Sequence, residues 1–582
     1  MQLGDIDLSS PDSFVDGIPH DYFELLRKEA PVYWQEREQG GGFWCVTRYN
    51  DILEVENNPH IFSSQTNISP DDRPEETLEA TIDHMLILSD QPRHTFLRTM
   101  VMKAFTPKAI ARLNEIIKEL AIETIDAVTE AGECDMLDVA AYMPVEVVAE
   151  MLGVPKHDRK RLFDWANAVF GASDPDVSDD IGTNIATMEM FTYAQKLAEK
   201  LRKEPNDTMF SVIANAEEGG EQLNGTDLGC FFMLMATAGN ETTRTQILLG
   251  TMALLAHPEA AEALRKDPSL MPNAIEEMLR WTTPLICFGR LAKEDYVLNG
   301  QQIKAGEKVF LWYCSGCRDE EIFENPNQLD IYRKNANKHI AFGATGSIHR
   351  CLGANLARTE LVVMFNMILE RMPGMELNGP IVRLRSNFTN GIKHLPVRFK
   401  PGKVEKYPEA KLYKETPKNN GATIEVVVPP TPDAINFEND DMEMKLIPLA
   451  TAALKIGMPQ FINNGPKGTR VVAEIASTTW EGERINAEQV GVAAADWAII
   501  GHDGSMAIDV RYTLQTDDGA IIFVSYTGRS KHTSDASAPL IISPVFETGD
   551  PKYLWLNSVQ AIGRGTMDTS TGILTYDIYE VQ

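Results

Sequence analysis

A change of hydrophobic period near residue 400 constrains the fold more than any other feature. Before it, apolar residues recur every three or four positions, as in KAIARLNEIIKELAIETIDAVTEA and PNAIEEMLRWTT, the spacing that turns one stripe of a helix toward a core. From about residue 441 they alternate, as in TRVVAEIAST, MAIDVRYTLQT, AIIFVSYTGR and ILTYDIYEV, with turn signals at His502-Asp503-Gly504 and Asp517-Asp518-Gly519, the pattern of half-buried strands. The stretch between, PGKVEKYPEAKLYKETPKNNGATIEVVVPPTPDAINFENDD, is rich in Pro, Lys, Glu and Asn and keeps no period, which reads as a linker. The expectation is a mainly α domain with small β-sheets over 1–400, a linker over 401–440 and an all-β barrel or sandwich over 441–582. Within the first part, EDYVLNGQQIKAGEKVFLWY predicts a hairpin turning at Asn299-Gly300.

Charge and cysteine usage remove several function classes. A formal charge of −30 over 582 residues repels phosphate backbones and no local basic patch offsets it, so nucleic acid is not an expected partner. The N-terminal MQLGDIDLSSPDSFVDG has neither a basic nor an apolar run, and no window reaches the roughly 18 apolar residues of a membrane span. A cytoplasmic protein without a membrane anchor is expected. Seven scattered cysteines cannot staple a chain of this size. Cys314 and Cys317 form a C-x-x-C without a second pair or a histidine at zinc spacing, and read as packed thiols.

AFGATGSIHRCLGANLAR, residues 341–358, sets Cys351 between a glycine-rich turn and a run that reads as a helix. Gly343, Gly346 and Gly353 let the backbone pass close to a flat group and turn amides toward a sulfur. A helix N-terminus next to Cys351 favours its thiolate. On these residues alone, a packed thiol and a metal-bound thiolate both stay open. Glu277 and Arg280 share a helix face and can pair, at the surface or buried. Glu241 beside Thr242 in AGNETT is either a proton relay or a solvated charge next to a hydroxyl bonded back to its helix.

Taken in order, LMATAGNETTRTQI at 234–247, Glu277-Met278-Leu279-Arg280, FENPNQLDIYRKNANKHIAFG and the Cys351 loop resemble the cytochrome P450 family over roughly residues 15–400. The resemblance implies a mainly α P450 fold and a heme b whose iron is held by Cys351, with Phe342, Gly353 and Ala238 also against the cofactor. It implies that Thr242 hydrogen-bonds dioxygen and that Glu241 supplies protons through water. Glu277 and Arg280 would join Arg333 in a buried network, and His94, Arg98, Arg290 and His349 would meet the heme propionates. Ile286, Phe288, Phe388 and Ile392 are candidates for the substrate pocket. One departure concerns the loop itself: nine steps separate Phe342 from Cys351 where the family's usual pattern has seven, while His349-Arg350-Cys351-Leu352-Gly353 is intact.

The activity so implied is a heme-thiolate monooxygenase that hydroxylates or epoxidises a hydrophobic small molecule: a steroid, a terpenoid or a long aliphatic chain. The chain lacks a dinucleotide fingerprint, a flavin segment and an iron–sulfur cysteine cluster. Electrons from NAD(P)H are therefore expected through an external ferredoxin and ferredoxin reductase, docking near Arg350, Lys103 and Lys108. A thiolate-heme peroxygenase or isomerase, or a heme-based sensor with the barrel as interaction module, are the alternatives.

Residues 441–582 resemble a small β-barrel family of unknown function with a lipocalin-like shape, carried by ADW, DGSMAIDVRYTLQTDDGAIIFVSYTGR and ETGDPKYLWLN. Asp496, Trp497, Asp509, Arg511, Tyr526, Tyr553, Trp555 and Asn557 are its candidate site. Asp509 and Arg511, two apart on a strand, share a side and could both face the interior to bind a small oxygenated molecule such as the substrate or product of the heme domain, or to convert that product further. The other reading is a surface ion pair with core aromatics in a domain serving dimerisation or stability.

Overall fold

Helices form where the apolar stripes predict them, and the longest, Gly225–Ala256, organises the first part of the chain. In this computed structural model the described residues are 1–582 without 38–40, 71–77, 105–106, 171–173, 175–176, 178–179, 414–444, 457–459, 466–467, 492–493, 501–504, 532–539, 569–572 and 582; beside several of these gaps, 495–497 included, the backbone alone is described. The chain divides into two compact units, Met1–Ala422 and Thr423–Gln582.

The start of Gly225–Ala256 is set by a reciprocal cap. The Asn224 side chain accepts from the Asp227 N–H at 2.9 Å and the Asp227 carboxylate accepts from the Asn224 N–H at 3.0 Å, which satisfies amides that the first turn leaves open. Being apolar nearly all round, the helix is covered by Met136–Leu152, Asp180–Lys203, Met271–Thr282 and Ala354–Arg371. Leu228, Phe232, Ile247, Leu248, Met278, Met364 and Phe365 form the middle of the resulting core, each contributing about 1.5–3 kcal/mol on burial. A five-stranded sheet, in the order Val32–Gln35, Phe43–Val46, Lys308–Leu311, Phe288–Ala292 and Phe62–Ser63, lies in the same unit. The predicted hairpin joins Tyr296–Leu298 to Gln301–Ile303. Its two turn residues, Asn299 and Gly300, have φ of 47° and 80°, the left-handed pair of a tight hairpin turn.

Residues 401–413, expected to begin the linker, are instead docked on the helical unit. Asp126 accepts the N–H groups of Glu405, Lys406 and Tyr407 at 2.8 Å each and the Arg371 guanidinium at 2.7 Å. Tyr413 packs on Tyr142 and Phe163 and donates its hydroxyl to Glu146. The anchors are single residues spaced through Lys- and Glu-rich sequence, so no period announces them. The remainder of the expected linker, 414–440, lies outside the described residues.

The second unit is a closed antiparallel barrel of eight strand positions. Leu446–Ile456 pairs on one side with Ile573–Val581 and on the other with Gly468–Glu481, which closes the ring. Ala561–Asp568, Leu540–Glu547, Ile521–Lys531 and Ser505–Thr516 follow in order, and Ala487–Gln489 with Ala495–Ile500 bridge back to Gly468–Glu481. Side chains alternate strictly between buried and exposed along Leu540–Glu547. The interior is filled by Trp480, Tyr512, Tyr526, Phe546 and Tyr576 with aliphatic neighbours.

Candidate active site

Cys351 follows a loop turned twice by left-handed glycines, Gly343 (φ 81°) and Gly346 (φ 96°), and its N–H donates to the Phe342 carbonyl at 3.0 Å. The loop delivers the thiol to a mainly apolar cavity at the start of Ala354–Arg371. Burial raises the Cys351 pKa, while the N–H groups of Gly353 and Ala354 and the guanidinium of Arg98 pull the other way. These are the groups that would stabilise a thiolate.

His94, Arg98, Arg290 and His349 all line this cavity. The His94 and His349 rings are 4.4 Å apart, and His349 Nε2 lies 2.8 Å from the Ser64 hydroxyl. Burial, reinforced by Arg98, lowers the His94 pKa to about 4. His94 Nε2 is buried without a hydrogen-bond partner. Arg98 ties the Cys351 loop from the other side, donating to the carbonyls of Ile348 and Arg350 at 2.9 and 3.0 Å.

Glu277 sits between two guanidinium groups. Arg280 donates to both its oxygens at 2.7 and 2.8 Å, and Arg333 Nε to the same two at 3.0 and 3.1 Å. The two arginines spend their other N–H groups on carbonyls of Cys317, Glu324, Asn325, Pro326 and Gln328. An i, i+3 helix pair thereby pins an irregular segment that has few backbone bonds of its own. A second clamp was not foreseen. Glu276 accepts from Arg358 at 2.6 and 3.0 Å and lies 3.2 Å from His339. Burial pushes Glu276 up, but these two partners hold it at about 2. Arg358 in turn covers the Phe342 ring at 4.8 Å, and Phe342 lines the cavity.

On Gly225–Ala256, Ala238, Gly239, Thr242 and Thr243 line the cavity. The Thr242 hydroxyl donates to the Ala238 carbonyl at 2.8 Å. Glu241 is not brought there: it is buried, paired with Arg244, and accepts from Thr245 at 3.2 Å. Ala238, Gly239, Thr242 and Thr243 form one i, i+1, i+4, i+5 stripe, and at about 100° per residue Glu241 falls outside it, on the side away from Thr243. The acid that does reach the cavity is Glu360, nine residues after the cysteine, buried and pushed up to about 8 by desolvation. Its signal in the sequence is an acid on the apolar side of the helix LGANLARTELVVMFNMILERM.

Of the four pocket candidates only Phe288 lines the cavity. Ile286 and Ile392 are packed into separate core clusters, and Phe388 lies behind Phe288, ring edge to face at 5.7 Å. Alternation along the extended segment explains this, because Leu285 rather than Ile286 faces the cavity.

The described barrel candidates are divided between the outside and the interior of the barrel. Asp509 and Arg511 pair at 3.3 Å on the outside, with side chains 41% and 58% exposed, since Ile508, Val510 and Tyr512 take the inward positions. Tyr526 is an interior residue against Tyr512 and Tyr576. Tyr553 donates to Asp518 at 3.0 Å, Trp555 lies under Arg484 at 4.1 Å, and the Asn557 side chain closes a turn on Thr548. The side chains of Asp496 and Trp497 lie outside the described ones.

Residues 184–373 match the family model described as cytochrome P450, and residues 444–581 match one described as a protein of unknown function, DUF3237. Over 405 residues the chain is 40% identical to a steroid C26-monooxygenase of Rhodococcus jostii, an alignment covering 68% of this chain and 84% of that protein. The chain belongs to the cytochrome P450 family. It is also 37% identical over 413 residues to a methyl-branched lipid omega-hydroxylase of Mycobacterium tuberculosis, covering 69% of this chain and 96% of that one. Among solved structures, a Mycobacterium marinum cytochrome P450 in complex with pseudoionone superposes with a TM-score of 0.63 at 36% identity, covering 68% of this chain and 98% of the other.

The cytochrome P450 family implies a heme, and this cavity fits one. Cys351 offers a sulfur where amides already converge on it, and the walls are mainly apolar. At one end two guanidinium groups, two imidazoles and an orphaned His94 Nε2 gather, a donor set suited to carboxylates. As a cytochrome P450 monooxygenase the chain is an oxidoreductase. Among the described residues no helix is long and apolar enough to cross a membrane.

Proposed function

We propose that the P450 unit hydroxylates or epoxidises an apolar small molecule of the steroid, terpenoid or branched aliphatic class, with two electrons delivered from NAD(P)H through a ferredoxin and its reductase. One observation carries this reading: Cys351 and Thr242 line a single cavity whose remaining walls include Leu86, Ile87, Val148, Phe231, Leu234 and Phe288. Apolar walls with few polar groups select a hydrophobic ligand and let only a few atoms orient it. Its similarity to a steroid C26-monooxygenase and to a methyl-branched lipid omega-hydroxylase supports the same class.

The net reaction is R–H plus O₂, two electrons and two protons giving R–OH and water. Heme, when bound, supplies the activation of O₂. Cys351 would hold the iron, with the Gly353 and Ala354 amides directed at its sulfur. His94, Arg98, Arg290 and His349 would hold the heme carboxylates at the cationic end. Thr242 can move its hydroxyl proton from the Ala238 carbonyl into the cavity. Glu360, kept neutral by burial, holds a proton at the cavity wall beside Thr243. Excluding bulk water is the task of the apolar walls. Arg350 of the cysteine loop, with Lys103 beside a recess formed by Arg98 and Ser347, is the electron-entry side. The Lys108 side chain lies outside the described ones.

For the barrel, the filled aromatic interior supports a stabilising or interaction role rather than product binding.

The test is a spin-state titration with steroids, terpenoids and methyl-branched lipids, followed by product analysis with a surrogate ferredoxin and reductase. A spin shift and an oxygenated product from at least one of these classes are expected. No shift and no product from any of them, in protein with an intact thiolate spectrum, would refute the substrate class.

A further inference from the structure

Glu56 is the last residue of the helix Tyr49–Glu56, and its side chain is 1% exposed. A carboxylate at the C-terminal end of a helix meets the negative end of the dipole, and burying it costs several kcal/mol unless partners surround it. Among the described residues three partners do: two line the cavity, and the third, Ala344, belongs to the loop that carries Cys351. The Ala344 N–H donates to Oε2, the Tyr313 hydroxyl donates to Oε1, and the Arg290 guanidinium stands 4.0 Å away. Tyr313, Arg290 and Gly343 line the cavity, whereas Glu56 does not.

The helix end is also the surface against which the cysteine loop is laid. A Cβ on Gly343 would lie 3.5 Å from a Glu56 oxygen and one on Gly346 would lie 3.4 Å from Asn57 Oδ1. Gly343 and Gly346 are the two left-handed turns of the nine-step passage from Phe342 to Cys351. The additional loop length is therefore folded back onto residues 56 and 57, and Glu56 is the group that bonds it there.

We infer that Glu56 is a positioning residue of this cytochrome P450: through Ala344 it fixes the lengthened loop that carries Cys351, and through Arg290 it sets the charge at the carboxylate-binding end of the heme cavity. The inference rests on ligation by Cys351. The carboxylate partly offsets the Arg290 charge, so removing it while keeping the shape leaves the cofactor end more positive and favours the reduced iron.

Holoprotein carrying Glu56→Gln should keep its heme and thiolate-type carbon monoxide spectrum, with its ferric/ferrous midpoint potential shifted positive. Glu56→Leu, which cannot accept from Ala344, should lose heme content or convert the carbon monoxide spectrum to the non-thiolate form. An unchanged potential in Glu56→Gln overturns the charge role even if the Leu variant fails to fold. A Leu variant with full heme and an unaltered spectrum overturns the loop role. A wild-type protein without a thiolate spectrum overturns Cys351 ligation itself, and this inference with it.

Discussion

Arg280 bridges both oxygens of Glu277 at 2.7 and 2.8 Å, and neither side chain has any exposed surface. Removing one partner of such a pair leaves an uncompensated buried charge, which costs about 3–5 kcal/mol. Glu277→Ala should therefore lower the heme-to-protein ratio of purified material and its thermal midpoint together. Retention of stoichiometric heme at an unchanged midpoint would mean that the network does not hold the segment around residues 317–333 in place.

Glu360 predicts a pH effect of defined sign. Its folded pKa is raised from the usual 4.5 to about 8 by burial, so between these values the folded state binds more proton than the unfolded chain. Stability from this group is complete below 4.5 and falls as pH rises through about 8. Glu360→Gln removes the decline, and above pH 8 the variant should be more stable than wild type by about 1 kcal/mol or more. Thermal midpoints of the two holoproteins across that range check this; parallel curves would speak against it.

Thr242 presents its hydroxyl to the cavity from Gly225–Ala256, whereas Glu241 is paired with Arg244 and does not line it. Thr242→Ala should reduce product formed per electron consumed by roughly tenfold or more while leaving the substrate-induced spin shift unchanged. Thr242→Ser should restore most of the coupling. Equal coupling in all three proteins would remove the hydroxyl from the mechanism.

Trp480 Nε1 donates to the Tyr512 hydroxyl at 3.1 Å inside the barrel, where both rings are almost wholly buried. Tyr512→Phe leaves that indole N–H without this acceptor, at a cost of about 1–3 kcal/mol. Scanning calorimetry should show the transition of the β unit moving down while that of the heme unit stays in place. A shift of both transitions would indicate that the two units unfold as one.

What could be read from the sequence was local. Cys351 next to a helix start, Glu277 with Arg280 on one helix face, and the Asn299-Gly300 turn are set by spacing within a few residues, so their local arrangement is legible without a fold. Glu56 and Glu276 escaped because their partners are remote: Ala344 lies 288 positions from Glu56, and Arg358 lies 82 from Glu276. The placement of Glu241 and Glu360 was hidden for a related reason. Adjacency to Thr242 in sequence does not put Glu241 on the same helix face, and the acid that lines the cavity sits on a different helix, Ala354–Arg371. In the barrel, a period of two places Asp509 and Arg511 together without saying on which side. The apolar run Ile508, Val510, Tyr512, Leu514 decides it, and weighing those neighbours would have turned the pair outward.

The central claim is that Cys351 ligates heme iron in this cavity, and the absorption spectrum of the reduced, carbon-monoxide-bound protein tests it most directly. Wild type should give the thiolate-type Soret band, and Cys351→Ser should lose it together with oxygenation of every substrate. A serine variant with the wild-type band and wild-type turnover would contradict the account.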